Sequence, residues 1–451
     1  MVILPTQYHR RIIGDRVYYI NQLLRPNLIH VSEDADELLT MIEGPTNSDI
    51  LYERLKDRIP ERGELEEFLE QCVGLGLLGS TRLASMRMST NMATGDADEE
   101  SQELERYSIE TRIPIGGSIE LTTRCNLKCI HCYLGDERTK QTSTDLEQWL
   151  DYIEQVIARG CVWVEVTGGD PLLSPFFVPV YRKLVESGAV VTVLTNGTTI
   201  TPTHLELFSE LPPAKIELSI YGSTREVYEG VTGVAGSYKR FLEGAKSLAS
   251  IGANLEIKAI LLKLNVHQLP EMRQFSEEVG AFFRFSGEIH EELNGSKHPN
   301  EHRLDPETVA ATDFSDLERA REIKEVFQKR HPIKSMDAYQ CRAGVNGFHI
   351  APTGLVHPCI TERSIGFSLE THSFGEIWDV RLPEAMSIRY KGNEKCALCE
   401  LYSMCKICPA RARMATSDPL ASVSYLCALA KERRKLTRGG DNHETQDYTR
   451  C

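Results

Sequence analysis

The sequence predicts an α/β protein whose centre is a partial, TIM-like (β/α)6 barrel. Two observations support this fold class. From residue 117 onward, apolar runs of strand length alternate with amphipathic runs of helix length, and parallel strands need helical crossovers of this kind. In addition, cysteine- and glycine-rich motifs follow the apolar runs, where the loops of such barrels carry their chemistry. Six units rather than eight indicate an open barrel.

The barrel domain is predicted at residues 113–305. Its strands are expected at residues 118–121, 162–166, 190–194, 215–220, 255–262 and 282–285. Helices are expected between them, for example at residues 146–158 and 238–251, where apolar residues recur every three or four positions.

Residues 1–80 are predicted to form a separate winged-helix domain. Strands at residues 16–20 and 28–31 precede helices at residues 35–42, 47–56 and 62–75. Asn47 is a suitable N-cap for the second helix. Eight Lys and Arg in this unit oppose fourteen Asp and Glu, and this acidic balance disfavours DNA as its partner.

The other segments are distinguished by composition. Residues 81–112 lose apolar periodicity and are predicted to be a linker. Residues 306–335 are predicted as a charged bridging helix, centred on residues 307–329. A cysteine-rich domain is placed at residues 336–432, and residues 433–451 are expected to be a flexible tail.

Composition excludes several classes of function. Lys and Arg number 51 against 65 Asp and Glu, a net charge of −14, which argues against nucleic acid or an anionic membrane as the main partner. No apolar run of about 18 residues is present, and the start of the chain lacks the apolar segment of a signal peptide, so a cytoplasmic protein is expected. In that reducing compartment, thirteen cysteines indicate metal ligands rather than disulfides.

Three cysteines within eight residues, Cys125, Cys129 and Cys132, follow the first predicted barrel strand. Three thiolates can hold three irons of a four-iron cluster and leave the fourth open. A zinc site is the alternative, but zinc usually takes four ligands in paired short spacings. The segment resembles the cluster motif of the radical SAM superfamily. That resemblance implies S-adenosylmethionine (SAM) and a [4Fe–4S] cluster as cofactors, with these cysteines as the catalytic cluster ligands.

The loop after the second barrel strand contains Gly168, Gly169 and Asp170 before a proline. Two glycines let a backbone approach a ligand closely, although such a sequence alone is more often a simple turn. Placed after the cysteine triad, it resembles the superfamily's Gly-Gly-Glu-Pro motif. The resemblance implies contact with the amino group of SAM, where an aspartate reaches one methylene less far than a glutamate.

Three further residues are candidates for SAM binding. Asn196 and Ser219 end the third and fourth strands, where a turn residue and a core hydroxyl are the alternatives. The resemblance implies that Ser219 hydrogen-bonds the SAM carboxylate or ribose, and that the ring of His131 lies near the adenine. Thr232 stands where many relatives carry an arginine for the SAM carboxylate.

A second set of seven cysteines follows the barrel. They are Cys341, Cys359, Cys396, Cys399, Cys405, Cys408 and Cys427. Their order and spacing, with Gly354 between the first two, resemble the SPASM extension of radical SAM enzymes, which holds two auxiliary [4Fe–4S] clusters and would bring the total to three. The gap of two residues between Cys405 and Cys408 departs from the usual three. A zinc ribbon is the alternative.

The resemblance divides these cysteines between two auxiliary clusters. One would have four ligands, from Cys396, Cys399, Cys405 and Cys427. The other would have three, from Cys341, Cys359 and Cys408, because the additional upstream cysteine of some relatives is missing and position 335 is a serine. Its fourth iron would be open to a substrate thiolate, with Asp337 as an alternative ligand. Cys72 and Cys161 are expected in the core, and Cys451 to be inert.

The N-terminal unit resembles the PqqD-like recognition element of enzymes that modify ribosomally made peptides. Such domains bind the leader of a precursor peptide as an added strand, through main-chain hydrogen bonds. A packing or dimerisation domain is the alternative.

Together the three parts resemble the maturases of sactipeptides and ranthipeptides. The resemblance implies an oxidoreductase that forms thioether crosslinks, from cysteine sulfur to carbon, within a precursor peptide. A radical derived from SAM would remove hydrogen from the acceptor carbon, and a cysteine thiolate on the open auxiliary iron would join it. The alternatives are carbon–carbon crosslinking, epimerisation, or a non-catalytic peptide-binding iron–sulfur carrier. The expected partners are the precursor peptide and a small redox protein such as a flavodoxin or ferredoxin.

Overall fold

The computed structural model describes most of the chain. It covers residues 2–5, 8–22, 28–42, 44, 46–75, 77–80, 99–139, 144–329, 336–391, 396–397 and 399–437. Ser335, Cys451 and residues 81–98 of the predicted linker therefore lie outside the described residues, as does most of the predicted tail. Within the described ranges, no helix combines the length and the apolar character needed to cross a bilayer.

The described residues of the N-terminal unit form six short strands and three helices. The strands are β1 (Val2–Pro5), β2 (His9–Ile13), β3 (Arg16–Ile20), β4 (Leu28–Val31), β5 (Thr46–Asn47) and β6 (Leu78–Ser80), and the helices are α1 (Glu33–Thr40), α2 (Ser48–Leu55) and α3 (Arg62–Gly74). β2, β3 and β4 form an antiparallel meander, and β1 pairs with β5 and β6. Asn47 caps α2 by accepting a hydrogen bond from the amide of Asp49, as predicted.

The meander β2–β3–β4 lies between two cores. One face contributes Val17, Ile29 and Val31 to a cluster with the three helices. The other face contributes Tyr18 and Ile20 to a cluster that includes barrel residues. Because both faces are buried, only the strand edges of this sheet can accept a further strand.

Arg11 fixes the meander to the barrel. Its guanidinium donates to the carbonyl oxygens of Ile157, Cys161 and Ser187, at 2.8, 3.0 and 3.2 Å. Ile157 lies in one barrel helix and Ser187 ends the next, so a single cation neutralises the negative ends of both helices. The N-terminal unit therefore sits at the end of the barrel opposite the predicted loops.

A helix, α4 (Glu99–Thr111), occupies the second half of the segment predicted as a linker. Leu104 and Ser108 are fully buried. Ser108 accepts a hydrogen bond from Asn346 at 2.9 Å. The many glutamates of this segment hid its narrow apolar face from sequence reasoning, because tertiary packing rather than propensity stabilises such helices.

Six parallel strands form the barrel sheet, neighbours in chain order. They are β7 (Gly116–Glu120), β8 (Trp163–Thr167), β9 (Val190–Thr195), β10 (Lys215–Ile220), β11 (Leu255–Ile260) and β12 (Phe282–Ser286). The connecting helices are α5 (Leu146–Ala158), α6 (Phe177–Glu186), α7 (Pro202–Glu210), α8 (Arg225–Thr232), α9 (Ser237–Ser250) and α10 (Leu269–Glu278). The predicted parallel sheet is confirmed.

The two faces of the barrel sheet differ in polarity. Alternate residues such as Ile119, Val166 and Leu218 are fully buried beneath the helices. The opposite face carries charged side chains, among them Lys258 and Glu217, whose charged atoms are 3.2 Å apart. This alternation leaves a polar interior at the end of the barrel where the candidate motifs emerge.

Three strands of the cysteine-rich region extend the same sheet beyond β7. They are β13 (Gly347–Ile350), β14 (Leu355–His357) and β15 (Phe367–Ser368). β13 runs parallel to β7, and the other two continue antiparallel. The sequence did not predict this extension, which places the cysteine-rich region directly beside the first barrel strand.

Helices complete the C-terminal part. They are α11 (Pro306–Ser315), α12 (Leu317–Lys329), α13 (Phe374–Glu376), α14 (Leu382–Ala385), α15 (Tyr402–Cys405), α16 (Pro409–Thr416) and α17 (Ser424–Thr437). The predicted helix at residues 307–329 is two helices, because Asp316 between them has extended backbone angles. Its carboxylate is bound by Arg273 at 2.6 Å.

Candidate active site

The loop after β7 carries Cys125, Cys129 and Cys132 and is held by the end of α8. The amides of Lys128 and Ile130 donate to carbonyl oxygens at the end of α8, at 2.8 and 3.0 Å. All three cysteines are partly exposed. The structure therefore presents the triad on a fixed loop at the carboxyl end of the sheet.

The two glycines after β8 pack against this cysteine loop. The Gly169 amide donates to the Thr122 carbonyl at 2.8 Å. A Cβ on Gly168 would lie 2.3 Å from the Thr122 carbonyl oxygen, and one on Gly169 would lie 2.3 Å from that of Arg124. No larger residue fits at either position, so the glycines set the distance between the two loops.

Asp170 is completely buried, and both its carboxylate oxygens accept hydrogen bonds from the protein. Oδ1 accepts from the Leu172 amide at 3.1 Å, and Oδ2 from the Thr195 hydroxyl at 2.8 Å and the Asn196 amide at 3.0 Å. Burial raises the pKa of Asp170 to about 6, against the lowering effect of these hydrogen bonds. The carboxylate therefore joins the loops after β8 and β9, and its predicted contact with the amino group of SAM stays a prediction.

Asn196 extends this network to the triad. Its amide nitrogen lies 3.0 Å from Asn126 Oδ1 and 3.8 Å from Cys125 Sγ, and its oxygen accepts from the Thr198 amide at 2.9 Å. The predicted residue is thus next to the cysteine loop. Asn126 and Thr198, which the sequence analysis did not single out, complete the connection at 2.7 Å.

Ser219 and His131 are both neighbours of a buried tyrosine, Tyr221. Ser219 and Cys129 are both neighbours of the Tyr221 side chain. The ring centroids of Tyr221 and His131 are 5.2 Å apart. Within the described structure, the buried Nδ1 of His131 has no hydrogen-bond partner, which fits a ring that faces a polar ligand.

Thr232 cannot replace the arginine of the relatives in binding a carboxylate. It is fully buried, and its hydroxyl lies 2.7 Å from that of Ser237. A cation does lie close to the triad, however. The charge of Arg138 lowers the pKa of Cys129 and Cys132, although burial is the larger effect and raises both. Arg138 was missed because it follows the motif without regular spacing.

The donor set fits a multi-iron cluster better than one zinc ion. Ligands of tetrahedral zinc with Zn–S of about 2.3 Å lie about 3.8 Å apart. Among the described residues, no set of three cysteines has its sulfur atoms within 4.8 Å of one another. Burial raises the pKa of Cys125 to about 11, so a bound cation has to displace the proton.

The C-terminal cysteines have two separate sets of cysteine neighbours. The pKa of Cys405 is raised to about 12 by burial and by Cys396 and Cys427. That of Cys408 is raised to about 11 by burial and by Cys341 and Cys359. One apolar pocket is lined by all four cysteines of the first group, Cys396, Cys399, Cys405 and Cys427.

Charged residues surround the three-cysteine group. Glu362, three residues after Cys359, accepts from the Tyr339 hydroxyl at 2.6 Å and from Arg413 at 2.6 and 2.8 Å. The carboxylate of Asp337 lies 3.1 Å from the guanidinium of Arg389. In this ion pair the Asp337 carboxylate faces Arg389. The contact argues against the alternative in which Asp337 binds the fourth iron of the auxiliary cluster.

A second charged group lies between the two cysteine regions. Glu120, the last residue of β7, accepts from Arg363 at 2.6 Å and lies 3.4 Å from His349 Nε2. Glu120 and His349 are at most 1% exposed, and in the described structure Glu120 Oε1 and His349 Nε2 make no hydrogen bond. Sequence reasoning missed this group because β13 comes beside β7 only in the folded chain.

Residues 119–275 match the Radical SAM superfamily. The matched segment is about a third of the chain and includes Cys125, Cys129 and Cys132. Domains of this superfamily use SAM and a [4Fe–4S] cluster. The fold is similar to that of Streptococcus suis SuiB bound to the precursor peptide SuiA, with a TM-score of 0.60 at 17% identity, over 95% of this chain and 100% of SuiB. At that identity the similarity concerns the fold alone.

Two relatives extend beyond the domain in sequence. The AdoMet-dependent heme synthase of Methanosarcina barkeri is 26% identical over 336 residues, 68% of this chain and 94% of the relative. The antilisterial bacteriocin subtilosin biosynthesis protein AlbA of Bacillus subtilis is 27% identical over 261 residues, 56% of each protein. This chain thus spans about half the length of AlbA.

Proposed function

With the match to the Radical SAM superfamily as the premise, we propose that this chain modifies a ribosomally made precursor peptide and forms thioether crosslinks in it. Cys125, Cys129 and Cys132 would hold the cluster, which with bound SAM would supply the radical chemistry that removes hydrogen from the acceptor carbon. The similarity to AlbA, which is named for the biosynthesis of a bacteriocin, supports a peptide substrate. The likeness to SuiB supports the corresponding fold.

One observation carries the proposal. β13, which lies between Cys341 and Cys359 in the sequence, pairs in parallel with β7, which leads into the SAM-cluster cysteines. Arg363 joins the two regions through Glu120. A substrate in the polar interior of the barrel can therefore face both cysteine regions at once, as a reaction that uses a radical and a bound sulfur requires.

The three-cysteine group supplies the second half of the chemistry. Cys341, Cys359 and Cys408 can hold three irons of an auxiliary cluster, which leaves one coordination position for the cysteine of the peptide. Coordination there would remove the thiol proton and fix the sulfur. When the thiolate joined the carbon radical, the auxiliary cluster would accept the one electron left over. The ion pair of Asp337 with Arg389 supports leaving that position to the substrate. The cysteines lining the apolar pocket would hold the third cluster.

The experiment uses the full-length enzyme with reconstituted clusters, SAM, a reductant and the cysteine-containing peptide encoded beside the gene. We expect release of 5′-deoxyadenosine, loss of two hydrogen atoms from the peptide per crosslink, and protection of its cysteine from alkylation. A peptide with serine in place of cysteine should form no crosslink. A modified peptide whose cysteines all still react with an alkylating agent would contradict thioether formation.

The N-terminal unit is proposed to bind the leader of the peptide at the β4 edge. The His30 amide points away from β3 and donates to the carboxylate of Glu100 at 3.0 Å. Glu100 lies in α4, so this side chain occupies a hydrogen-bonding position that an added strand would use. Both faces of the sheet are covered, which leaves the edge as the place for a peptide.

Two substitutions with opposite effects test this edge. His30→Pro removes the outward amide at a position where an edge strand tolerates proline, and should weaken leader binding about tenfold, the value of one hydrogen bond. Glu100→Ala removes the competing carboxylate and should strengthen binding. Fluorescence anisotropy with a labelled leader measures both, and uncoupled SAM cleavage should not change. Equal leader affinity in both variants and the parent would refute the assignment.

A further inference from the structure

A long segment without strands connects β12 to α11 and crosses the carboxyl end of the barrel. We call residues 287–305 the strap. Loops of this length in compact domains are uncommon and usually functional. The amide of Leu293 donates to the carbonyl of Tyr133 in the cysteine loop at 2.9 Å, and the Leu304 carbonyl accepts from Tyr425 of α17 at 3.0 Å. The strap thus joins the barrel mouth to the C-terminal part.

The strap contains one helical turn, His298–Glu301. Among the described residues, the only three side chains of His, Cys, Asp or Glu with all their ligand atoms within 4.8 Å of one another are His298, Glu301 and His302. The spacing of three and four residues explains this, because a helical turn brings such positions to one side. His298 and Glu301 are exposed and His302 is partly buried, so an ion from solvent can reach all three.

The chemistry of the set favours a particular class of ion. Two imidazole nitrogens and one carboxylate oxygen suit zinc and its neighbours among the divalent transition metals, whereas magnesium and calcium prefer oxygen alone. The ring centroids of the two histidines are 5.5 Å apart, edge to face. The side-chain nitrogen of Lys263 donates to the backbone carbonyl of Glu301 at 2.9 Å rather than to the Glu301 carboxylate.

The turn also lies beside the proposed SAM site. The His302 carbonyl accepts from the Lys263 amide at 3.0 Å, so Lys263 is bound to two carbonyls of this turn. The charge of His302 contributes to the lowered pKa of His131, after the larger effect of burial. An ion that fixes residues 298–302 would therefore fix a segment close to the cysteine loop.

We propose that His298, Glu301 and His302 bind one divalent transition-metal ion of the zinc class, and that the ion rigidifies this turn of the strap at the mouth of the barrel. The site is separate from the iron–sulfur sites, since it contains no cysteine. Water can complete the four-coordinate shell. The inference does not depend on the peptide function proposed above.

The test uses the full-length enzyme with its clusters reconstituted, after removal of loosely bound metal with a chelator. One equivalent of Zn²⁺ is added, its affinity is measured by competition with a chromophoric chelator, and its coordination by X-ray absorption at the zinc edge. We expect a shell of nitrogen and oxygen at about 2.0–2.2 Å without sulfur. The double variant His298→Ala/His302→Ala should bind Zn²⁺ more than about 100-fold more weakly, because even outer-shell partners cost 10–100-fold.

Two controls make the result specific. His267→Ala removes another exposed histidine, outside the strap, and should leave the affinity unchanged. Glu301→Gln keeps the shape but removes the charge, and should weaken binding by an intermediate factor. The substituted residues are at the surface, and unchanged iron content shows that the variants fold. Sulfur in the zinc shell, or equal affinity of the double variant and the parent enzyme, would overturn the proposal.

Discussion

Replacing Cys125, Cys129 and Cys132 together by alanine is expected to abolish 5′-deoxyadenosine formation. The three thiolates are the proposed ligands of the cluster that reduces SAM, and alanine offers no ligand in their place. The C-terminal cysteines are separate groups with their own neighbours, so the auxiliary clusters should remain. Iron content should fall from about twelve to about eight atoms per chain, four for each cluster, as measured by iron analysis and product chromatography.

A matched control uses cysteines outside these groups. Cys72 is 4% exposed within the core of the N-terminal helices, and Cys161 is fully buried at the start of β8. Alanine at either position should preserve SAM cleavage and the full iron content. If the triple variant still produced 5′-deoxyadenosine, the triad would not be the SAM-cluster site.

Arg433→Met is expected to cause a large loss in the free energy of unfolding of the C-terminal part. The Arg433 side chain is 4% exposed and donates to Asp313 Oδ2 at 2.9 and 2.6 Å, and it lies 2.8 Å from Glu288. Its removal leaves buried carboxylates with weaker partners. Such a change costs about 3–5 kcal/mol, which corresponds to a fall in Tm of roughly 10 °C, measured by calorimetry on the cluster-loaded protein.

A second substitution separates the ion pair from packing. Asp313→Asn combined with Arg433→Met removes the unpaired charge, and should recover part of the loss. Lys435→Met, on the exposed face of the same helix with its side chain 69% exposed, should change stability by no more than about 0.5 kcal/mol. A double variant no more stable than Arg433→Met alone would show that the buried charge is not the cause.

The barrel strands were predictable because each is an apolar run next to a helix-length crossover. Four other features were not. β2 contains two arginines and no regular alternation, and becomes a strand because Arg11 reaches the barrel carbonyls. α4 is too acidic for its apolar face to stand out. β13 joins β7 across more than two hundred residues, and Asp316 divides a helix that seemed continuous from its charges.

The cysteines of the candidate site stand out in the sequence through their spacing and its resemblance to the radical SAM and SPASM motifs, and their role as cluster ligands stays a prediction. The hydrogen bonds of Asp170 could not be predicted, because only the fold brings Thr195 and Asn196 to its carboxylate. The group formed by Glu120, His349 and Arg363 has no local signature at all. Glu120 comes from the first barrel strand, and His349 and Arg363 come from the cysteine-rich region more than two hundred residues later.

The pairing of β13 with β7 also affects folding during synthesis, because β13 leaves the ribosome long after β7. Ser118 and His349, which touch across this pair, are 231 positions apart, so at 5–20 residues per second β13 emerges on the order of 10–50 s after β7. During that interval the strand that leads into the SAM-cluster cysteines has an open edge, the kind of edge that promotes aggregation. Nascent chains are therefore most prone to aggregation before residue 350 has been synthesised. Cluster loading after that point would favour productive folding.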